Sequence, residues 1–327
     1  MNTRRKLIIV LGASSLTAPL SSFAQQPLKI VRVGFLMGSG DKDNPSLVAF
    51  RDELSKFGWV EGKNIIVEYR SAKEDSERFP ALIAELVRLK VDLIITASTP
   101  AALAAKSAIR DIPIVFSMVS DPVASGLVHS LARPGGNLTG WSNMLPETSA
   151  KLLELLKEII PKASRITVLS DPSNSGKALE IKVLQTAAQR VGLTLRPFQV
   201  RRLSDIKAAF STMAQERPDG LVVLRDSVTG YHREAIVQLA SSIRLPAIYQ
   251  VSEFVDAGGL ISYGMDILRQ YRRSAFYADK ILKGAKPGDI PVEQPTTFEL
   301  VVNLKAAKTI GIKIPQSILL RADRVIE

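Results

Sequence analysis

Short apolar runs alternate with helical segments along most of this 327-residue chain. The run from Val91 to Thr96 is almost wholly apolar, as expected of a strand buried on both faces of a sheet. Strands that alternate with helices of about 10–15 residues indicate βαβ units and a parallel sheet. The alternation therefore predicts an α/β fold. The predicted strands are 31–36, 64–69, 91–96, 113–116, 165–169, 193–198, 220–224 and 246–249, and helices are predicted at 46–57, 79–89 and 101–109.

One strand–helix–strand pattern occurs twice. Residues 92–98 lead through a helical segment to 109–115, and residues 219–225 lead in the same way to 243–249. Two similar α/β lobes with a cleft between them explain this repeat, although any two βαβ units share such a pattern. No low-complexity linker separates the copies, so we expect strands or short crossovers to connect them.

The N-terminus has the pattern of a signal peptide. A basic segment at 4–6 is followed by an apolar stretch at 7–20 and by the cleavage motif Ser22-Phe23-Ala24. We predict that residues 1–24 are removed and that the mature protein is soluble in the periplasm, with Sec and Tat export both open. An uncleaved membrane anchor is the alternative, but the apolar stretch is shorter than the ~20 residues that span a bilayer. The chain has no cysteine, so the prediction excludes a lipoprotein.

The composition removes many kinds of catalytic site. Without cysteine, thiolate metal sites, disulfides and cysteine nucleophiles are excluded, and the two histidines are too few for a multi-histidine metal centre. We expect His129 and His232 to lie in helical segments and to be structural or surface residues. The net charge of +11 is spread along the chain without an arginine-rich arm, so nucleic acid is not a predicted partner.

Sequence motifs for catalysis and cofactor binding are incomplete. Ser175-Gly176-Lys177 resembles the end of a P-loop, but Asp171 stands where the motif needs glycine and Ala178 where it needs Ser or Thr. Gly38-Ser39-Gly40 lacks the third glycine of a dinucleotide-binding fingerprint. We therefore predict no catalytic residues, no metal and no cofactor.

Polar residues follow the predicted strands, where ligands bind in open parallel sheets. Ser98-Thr99-Pro100 places a capping hydroxyl and a proline at a helix start, whose free N–H groups favour a carboxylate or another anion. Plain helix capping is the alternative for these residues. Asp121-Pro122 and Asp171-Pro172 are also typical helix starts.

Short motifs spread over residues 31–327 resemble one known family. In chain order they are residues 61–64, 68–70, 99–102, 121–123, 126–128, 133–140, 258–260, 262–264, 298–305 and 321–323. This ordered set resembles the substrate-binding proteins of ABC transporters, in the group related to type I periplasmic binding proteins. The resemblance implies two Rossmann-like lobes with parallel sheets, joined by a multi-crossover hinge, with the ligand cleft between them.

The same resemblance implies lobe boundaries and a set of ligand-binding residues. Residues 28–141 and 263–291 would form the first lobe, and residues 142–262 and 292–327 the second. Hydroxyls and helix-start amides of the first lobe would hold a ligand carboxylate, whereas Asp226 of the second lobe would hold an amine. The full predicted set is Ser39, Ser98, Thr99, Ser117, Asp121, Asn174, Asp226 and Tyr263. The first loop, 37–43, contains no aromatic residue, which argues against an aromatic amino acid as the ligand.

The function implied by the resemblance is that of a periplasmic solute-binding protein. It would capture a small polar molecule, amino-acid-like or carboxylate-bearing, and pass it as a monomer to an ABC transporter permease in the inner membrane. A periplasmic sensor domain for a membrane signalling partner shares this fold and remains open, as does an enzyme that uses the same cleft. Neighbouring permease and ATPase genes would favour transport, and turnover or cofactor absorbance would indicate an enzyme.

Overall fold

A computed structural model describes residues 30–143 and 146–327. The predicted signal peptide, residues 1–24, lies outside the described residues. Twelve strands are present in these ranges: β1 (Val31–Met37), β2 (Ile65–Ser71), β3 (Leu93–Ala97), β4 (Ile114–Val119), β5 (Leu138–Ser142), β6 (Arg165–Ser170), β7 (Thr194–Gln199), β8 (Gly220–Val223), β9 (Ala247–Tyr249), β10 (Ile261–Gly264), β11 (Glu299–Asn303) and β12 (Arg324–Ile326).

The α-helices of the described ranges fill most of the intervals between the strands. They are α1 (Pro45–Lys56), α2 (Phe79–Arg88), α3 (Thr99–Ala108), α4 (Pro146–Ile159), α5 (Ser175–Arg190), α6 (Leu203–Glu216), α7 (Ser227–Tyr231), α8 (Arg233–Ser242), α9 (Glu253–Asp256), α10 (Ile267–Leu282), α11 (Leu304–Ile310) and α12 (Gln316–Leu319). The predicted α/β fold is confirmed, and each predicted strand overlaps an observed one.

The strands form two sheets. The five-stranded sheet has the order β2-β1-β3-β4-β5 and is parallel throughout. The seven-stranded sheet has the order β12-β11-β10-β9-β8-β6-β7 and is parallel except for the antiparallel pair of β10 and β11. We call the five-stranded sheet with α1–α3 and α10 the first lobe. The seven-stranded sheet with the other helices is the second lobe.

The chain passes between the lobes three times. It crosses between β5 and α4, returns between β10 and α10, and crosses again before β11. Helix α10 packs on α1, β3 and β4, although it directly follows a strand of the other sheet. Trp141 and Glu293 pair as a parallel bridge, so the first and third crossings run side by side. The predicted return to the first lobe at residue 263 falls inside β10, so Tyr263 and Gly264 belong to the second sheet.

The internal repeat corresponds to one structural role in both lobes. Asp92 precedes β3, and its Oδ2 accepts a hydrogen bond of 2.9 Å from the Arg32 amide at the start of β1. Asp219 precedes β8, and its Oδ2 accepts bonds of 2.8 Å from the amides of Ser164 and Arg165 at the start of β6. In each lobe the aspartate side chain thus accepts hydrogen bonds from the backbone at the start of the neighbouring strand, which explains why both copies contain it.

The histidines do not lie in helices, contrary to the prediction. His129 is in the loop before β5, where its amide donates to the Pro134 carbonyl at 3.2 Å. Gly126 and Gly135 both take φ of +72° there, a conformation that interrupts a helix. His232 is in the turn that separates α7 from α8.

Candidate functional site

The carboxyl ends of strands from both sheets surround a cavity of about 350 Å³, which we call the main cavity. The first lobe contributes the residues after β1 and the first turn of α10, including Ser39 and Tyr271. The second lobe contributes the residues after β8 and β9, including Arg225 and Glu253. Ligands of open α/β sheets bind at this edge, and the volume lies within the range of small-molecule pockets, about 300–1,000 Å³.

The two walls of the main cavity differ chemically. Met37, Ile267 and Tyr271 give the first-lobe wall an apolar surface. Burial raises the pKa of Tyr271 to about 12, so its phenol keeps its proton at neutral pH. The second-lobe wall carries Arg225 and Glu253, whose Nη2 and Oε2 atoms are 3.7 Å apart.

A second cavity, the small cavity, lies beside the main one and has a volume of about 20 Å³. Arg225 and Val251 line both cavities, so the two spaces meet at these residues. The polar residues around the small cavity are Asn143, Thr148, Ser149, Glu180, Arg225 and Gln250. This space is enough for a group about the size of one water molecule.

Local folding places Arg225 between the two cavities. The strand β8 is wholly apolar and buried, and Arg225 follows it after Leu224. Its amide donates to Oε1 of Gln250 at 2.7 Å, and its Nη1 donates to the carbonyl of Asp226 at 3.0 Å. A Cβ on Gly230 would lie 2.7 Å from the guanidinium carbon, so this glycine makes room for the side chain in α7.

A buried ion pair lies beside the small cavity. Lys177 and Glu180 are one helical turn apart on α5, and Lys177 Nζ is 2.9 Å from both carboxylate oxygens. Glu180 also accepts hydrogen bonds from the Ser120 hydroxyl of the first lobe and from Nε2 of Gln250. Buried charges need such complete partners, and here one of the partners comes from the other lobe.

Several contacts close the cleft. Ser39 Oγ donates to the Ser227 carbonyl at 3.0 Å, and His232 Nε2 lies 2.6 Å from a carboxylate oxygen of Glu74. Gly176 of the second lobe packs so tightly on the first that a Cβ there would lie 2.7 Å from Thr99 Oγ1. The two lobes are therefore in direct contact on one side of the main cavity.

The structure brings only one of the eight predicted residues, Ser39, to the main cavity. Ser98 and Asn174 line a gap of about 10 Å³ between the lobes, and both are helix N-caps. Ser98 Oγ accepts from the Ala101 amide at 3.3 Å, and Asn174 Oδ1 accepts from the Gly176 amide at 3.1 Å. Thr99 is fully buried, and its Oγ1 accepts from the Ser120 amide. Their roles in ligand binding stay predictions.

Asp226 uses both carboxylate oxygens within the protein. Oδ1 accepts from the amide of Thr229 at 2.8 Å in a capping box at the start of α7, and Oδ2 accepts from the amide of Asp171 at 2.7 Å. The residue is only 3% exposed. Burial raises the pKa of this carboxyl, whereas the two amide donors lower it. These bonds are those of a structural group, so the structure offers no support for the predicted amine contact.

The remaining predicted residues line neither cavity. Ser117 is fully buried on β4, and its hydroxyl has no hydrogen-bond partner. Asp121 accepts from the amides of Val123 and Ala124 in a turn. Tyr263 stacks on Phe298 with 5.7 Å between the ring centres.

Sequence reasoning missed the residues that bring charge and aromatic surface to the cavities. Arg225 and Gln250 stand directly after strands, a position that marks candidates, but arginine and glutamine there match no motif. Glu180 and Tyr271 lie within helices, where an apolar or charged residue normally serves the core or the solvent. Within 30–143 and 146–327, no group of three or more His, Asp or Glu side chains could hold a metal. No helix of these ranges is long and apolar enough to cross a membrane.

Comparisons with known proteins agree with this geometry. The chain is 30% identical over 275 residues to a tyrosine-binding protein from Clostridioides difficile (strain R20291), covering 83% of this chain and 79% of that protein. A structure of an ABC domain in complex with L-Trp from Streptococcus pneumonia is 28% identical with a TM-score of 0.83, covering 90% of this chain and 99% of that one.

A third relative is the ligand-free, open structure of a substrate binding protein with adhesive properties from Clostridium difficile. It is also 28% identical, and the match covers 91% of this chain and 99% of that one, but its TM-score is 0.64. A sequence profile of the family described as ABC transporter substrate binding protein matches residues 39–326. Two lobes of parallel strands, a cleft at their carboxyl edges and this match over most of the chain show that the protein belongs to the ABC transporter substrate-binding protein family.

Proposed function

We propose that this protein is the periplasmic binding component of an ABC transporter and that it captures an amino acid between its lobes. The observation that carries the proposal is the main cavity, whose walls combine an arginine and a glutamate with an apolar surface. A zwitterion with an apolar side chain complements this lining. The relatives that bind tyrosine and L-Trp support the same ligand class.

The ligand can include an aromatic side chain. The first loop, residues 37–43, contains no aromatic residue. In the structure, Tyr271 from α10 and Tyr231 from α7 line the main cavity instead. Aromatic side chains favour contacts with aromatic or large apolar groups.

Closure of the lobes is the second part of the proposal. The cross-lobe contacts of Ser39 and Glu74 form only when the lobes meet. At equal sequence identity, the structure superposes better on the L-Trp complex than on the open, ligand-free relative. Hinge closure around a ligand explains both observations.

A thermal-shift screen of the twenty L-amino acids on the mature protein tests the ligand class. We expect one group of related amino acids to raise the melting temperature, because a ligand that binds only the folded state stabilises it. Mass spectrometry of small molecules released from the denatured, purified protein identifies the natural ligand independently. A co-purified sugar or nucleoside, with no response to any amino acid, would contradict the proposal.

Export and processing are tested separately. We expect the exported protein to begin at Gln25, because residues 22–24 form a small-x-small cleavage motif. N-terminal sequencing of the periplasmic fraction checks this. A chain that retains Met1 in the membrane fraction would argue against it.

A further inference from the structure

Around the small cavity, three buried polar atoms have no hydrogen-bond partner within residues 30–143 and 146–327. They are Oδ1 of Asn143, Oγ1 of Thr148 and Nε of Arg225. The large majority of buried side-chain polar atoms in folded proteins have a hydrogen-bond partner, so three without one in the same place are unusual. The three atoms combine a cationic donor with a hydroxyl and an amide acceptor, which is a set that complements a zwitterion.

Two other polar side chains around the small cavity, those of Glu180 and Gln250, are already engaged. Both carboxylate oxygens of Glu180 bind Lys177, and this pair is electrically neutral. Gln250 uses its Oε1 for the Arg225 amide and its Nε2 for Glu180. Arg225 is the other charged residue at the small cavity. Its Nη1 donates to the Asp226 carbonyl and its Nη2 lies 3.7 Å from Oε2 of Glu253, so Nε is the guanidinium nitrogen without a partner among the described residues.

We propose that the small cavity binds the α-ammonium group of an amino acid and that Arg225, where the small and main cavities meet, binds the α-carboxylate. Arg225 Nε donates to the α-carboxylate, and Asn143 Oδ1 and Thr148 Oγ1 accept from the α-ammonium group. This assignment rests on the proposed function and adds the residues that recognise the amino acid. Because Arg225 also lines the main cavity, a ligand held at its head group extends its side chain into that larger space.

The main cavity determines which side chains fit. Its apolar lining includes Met37, Val251 and Ile267. Its three acidic residues have partners within the protein: Asp256 pairs with Arg324 at 2.7 Å, Asp266 caps α10 through the Arg269 amide, and Glu253 pairs with Arg225 at 3.7 Å. The site therefore selects amino acids with uncharged apolar or aromatic side chains over lysine and arginine.

Calorimetry with matched ligand pairs tests the head-group assignment. The probes are L-tyrosine, L-tryptophan and L-leucine, each compared with the amine that lacks the carboxylate: tyramine, tryptamine and isopentylamine. We expect the wild-type protein to bind at least one amino acid far more tightly than its amine. Arg225→Gln should weaken the amino acid about 10- to 150-fold and leave the amine unchanged, because it removes a charge-assisted bond to the carboxylate.

Two further variants separate recognition from folding. Thr148→Val keeps the side-chain shape and should weaken the amino acid about 2- to 10-fold. Arg202→Gln is the matched control, because Arg202 is exposed and lines neither cavity, and it should change the affinity less than twofold. If Arg225→Gln does not fold, Thr148→Val and the wild-type comparison of each amino acid with its amine still test the head-group assignment.

The outcomes distinguish this assignment from the proposed function. Equal wild-type affinity for an amino acid and its amine would overturn the head-group site, as would a folded Arg225→Gln protein with wild-type affinity. Neither result would contradict the proposal that the protein binds an amino acid. If no amino acid binds the wild-type protein, the ligand class and the head-group site both fail.

Discussion

The two lobes use the carboxyl ends of their strands differently. In the first lobe these ends carry mostly hydroxyls, such as Ser39, Ser98 and Ser120. In the second lobe they carry charged residues, among them Asp171, Arg225 and Asp226. Hydrogen bonds within the second lobe occupy the carboxylates of Asp171 and Asp226, whereas Nε of Arg225 has no partner among the described residues. A charge at a strand end thus indicates a ligand contact only when the fold leaves one of its atoms without a partner.

Equivalent positions of the two lobes illustrate the same lesson. Ser98 follows β3 and caps α3, and Asp226 follows β8 and caps α7. The repeat in the sequence predicts that both face the ligand, and the structure shows that both cap helix N-termini. Removing the Asp226 cap is expected to have the largest effect on stability, and removing the Ser98 cap a smaller one.

Asp226→Ala should lower the stability of the unliganded protein by about 3 kcal/mol, because it leaves the buried amides of Thr229 and Asp171 without acceptors. At an unfolding entropy of about 2.1 cal/mol/K per residue, a chain of this length would show a fall in melting temperature of about 5 °C. The matched first-lobe variant, Ser98→Ala, should cost only about 1 kcal/mol for one neutral cap. Calorimetric melting checks both. An Asp226→Ala protein of normal stability and much weaker ligand binding would restore the amine-anchor interpretation.

The contact between the lobes is tested at Gly176. Alanine there should oppose closure, since its Cβ would meet Thr99 Oγ1 at 2.7 Å and Ser120 Oγ at 2.8 Å. We expect affinity for the amino acid found in the thermal screen to fall about 5- to 150-fold, from overpacking of about 1–3 kcal/mol. The unliganded melting temperature should not fall, because alanine is the better helix residue.

Ser175→Ala, at the exposed neighbouring position, is the control. Wild-type affinity in Gly176→Ala would argue that ligand binding does not need this contact.

The smallest effect concerns the aspartate before β8. The amides of Ser164 and Arg165 lower the pKa of Asp219, so its stabilisation is present above its unfolded pKa of about 3.9 and is lost as the pH falls through the folded pKa. Asp219→Asn should therefore lower stability by about 1 kcal/mol at pH 7, and the difference should shrink below about pH 4. Denaturant titrations at several pH values measure this, with Asp111→Asn at an exposed site as the control. A difference that does not depend on pH would contradict the electrostatic explanation.

The sequence was sufficient for the fold because apolar periodicity is local. The apolar run around Leu93 predicts a buried strand by itself, and the repeated aspartates mark equivalent strand starts. The site was harder to predict, because the role of Arg225 depends on its contacts with Gln250 after β9 and with Glu253 of α9. Which oxygen of Asp226 is occupied, and which nitrogen of Arg225 is not, follows from tertiary packing. Spacing along the chain does not contain that information.

The central claim is that the two lobes close on an amino acid held at their facing strand ends. Small-angle scattering of the mature protein, alone and saturated with the amino acid that gives the largest thermal shift, tests it most directly. Hinge closure brings two lobes together, so the account predicts a smaller radius of gyration in the saturated protein. An unchanged scattering profile at saturating ligand would contradict closure and the site between the lobes.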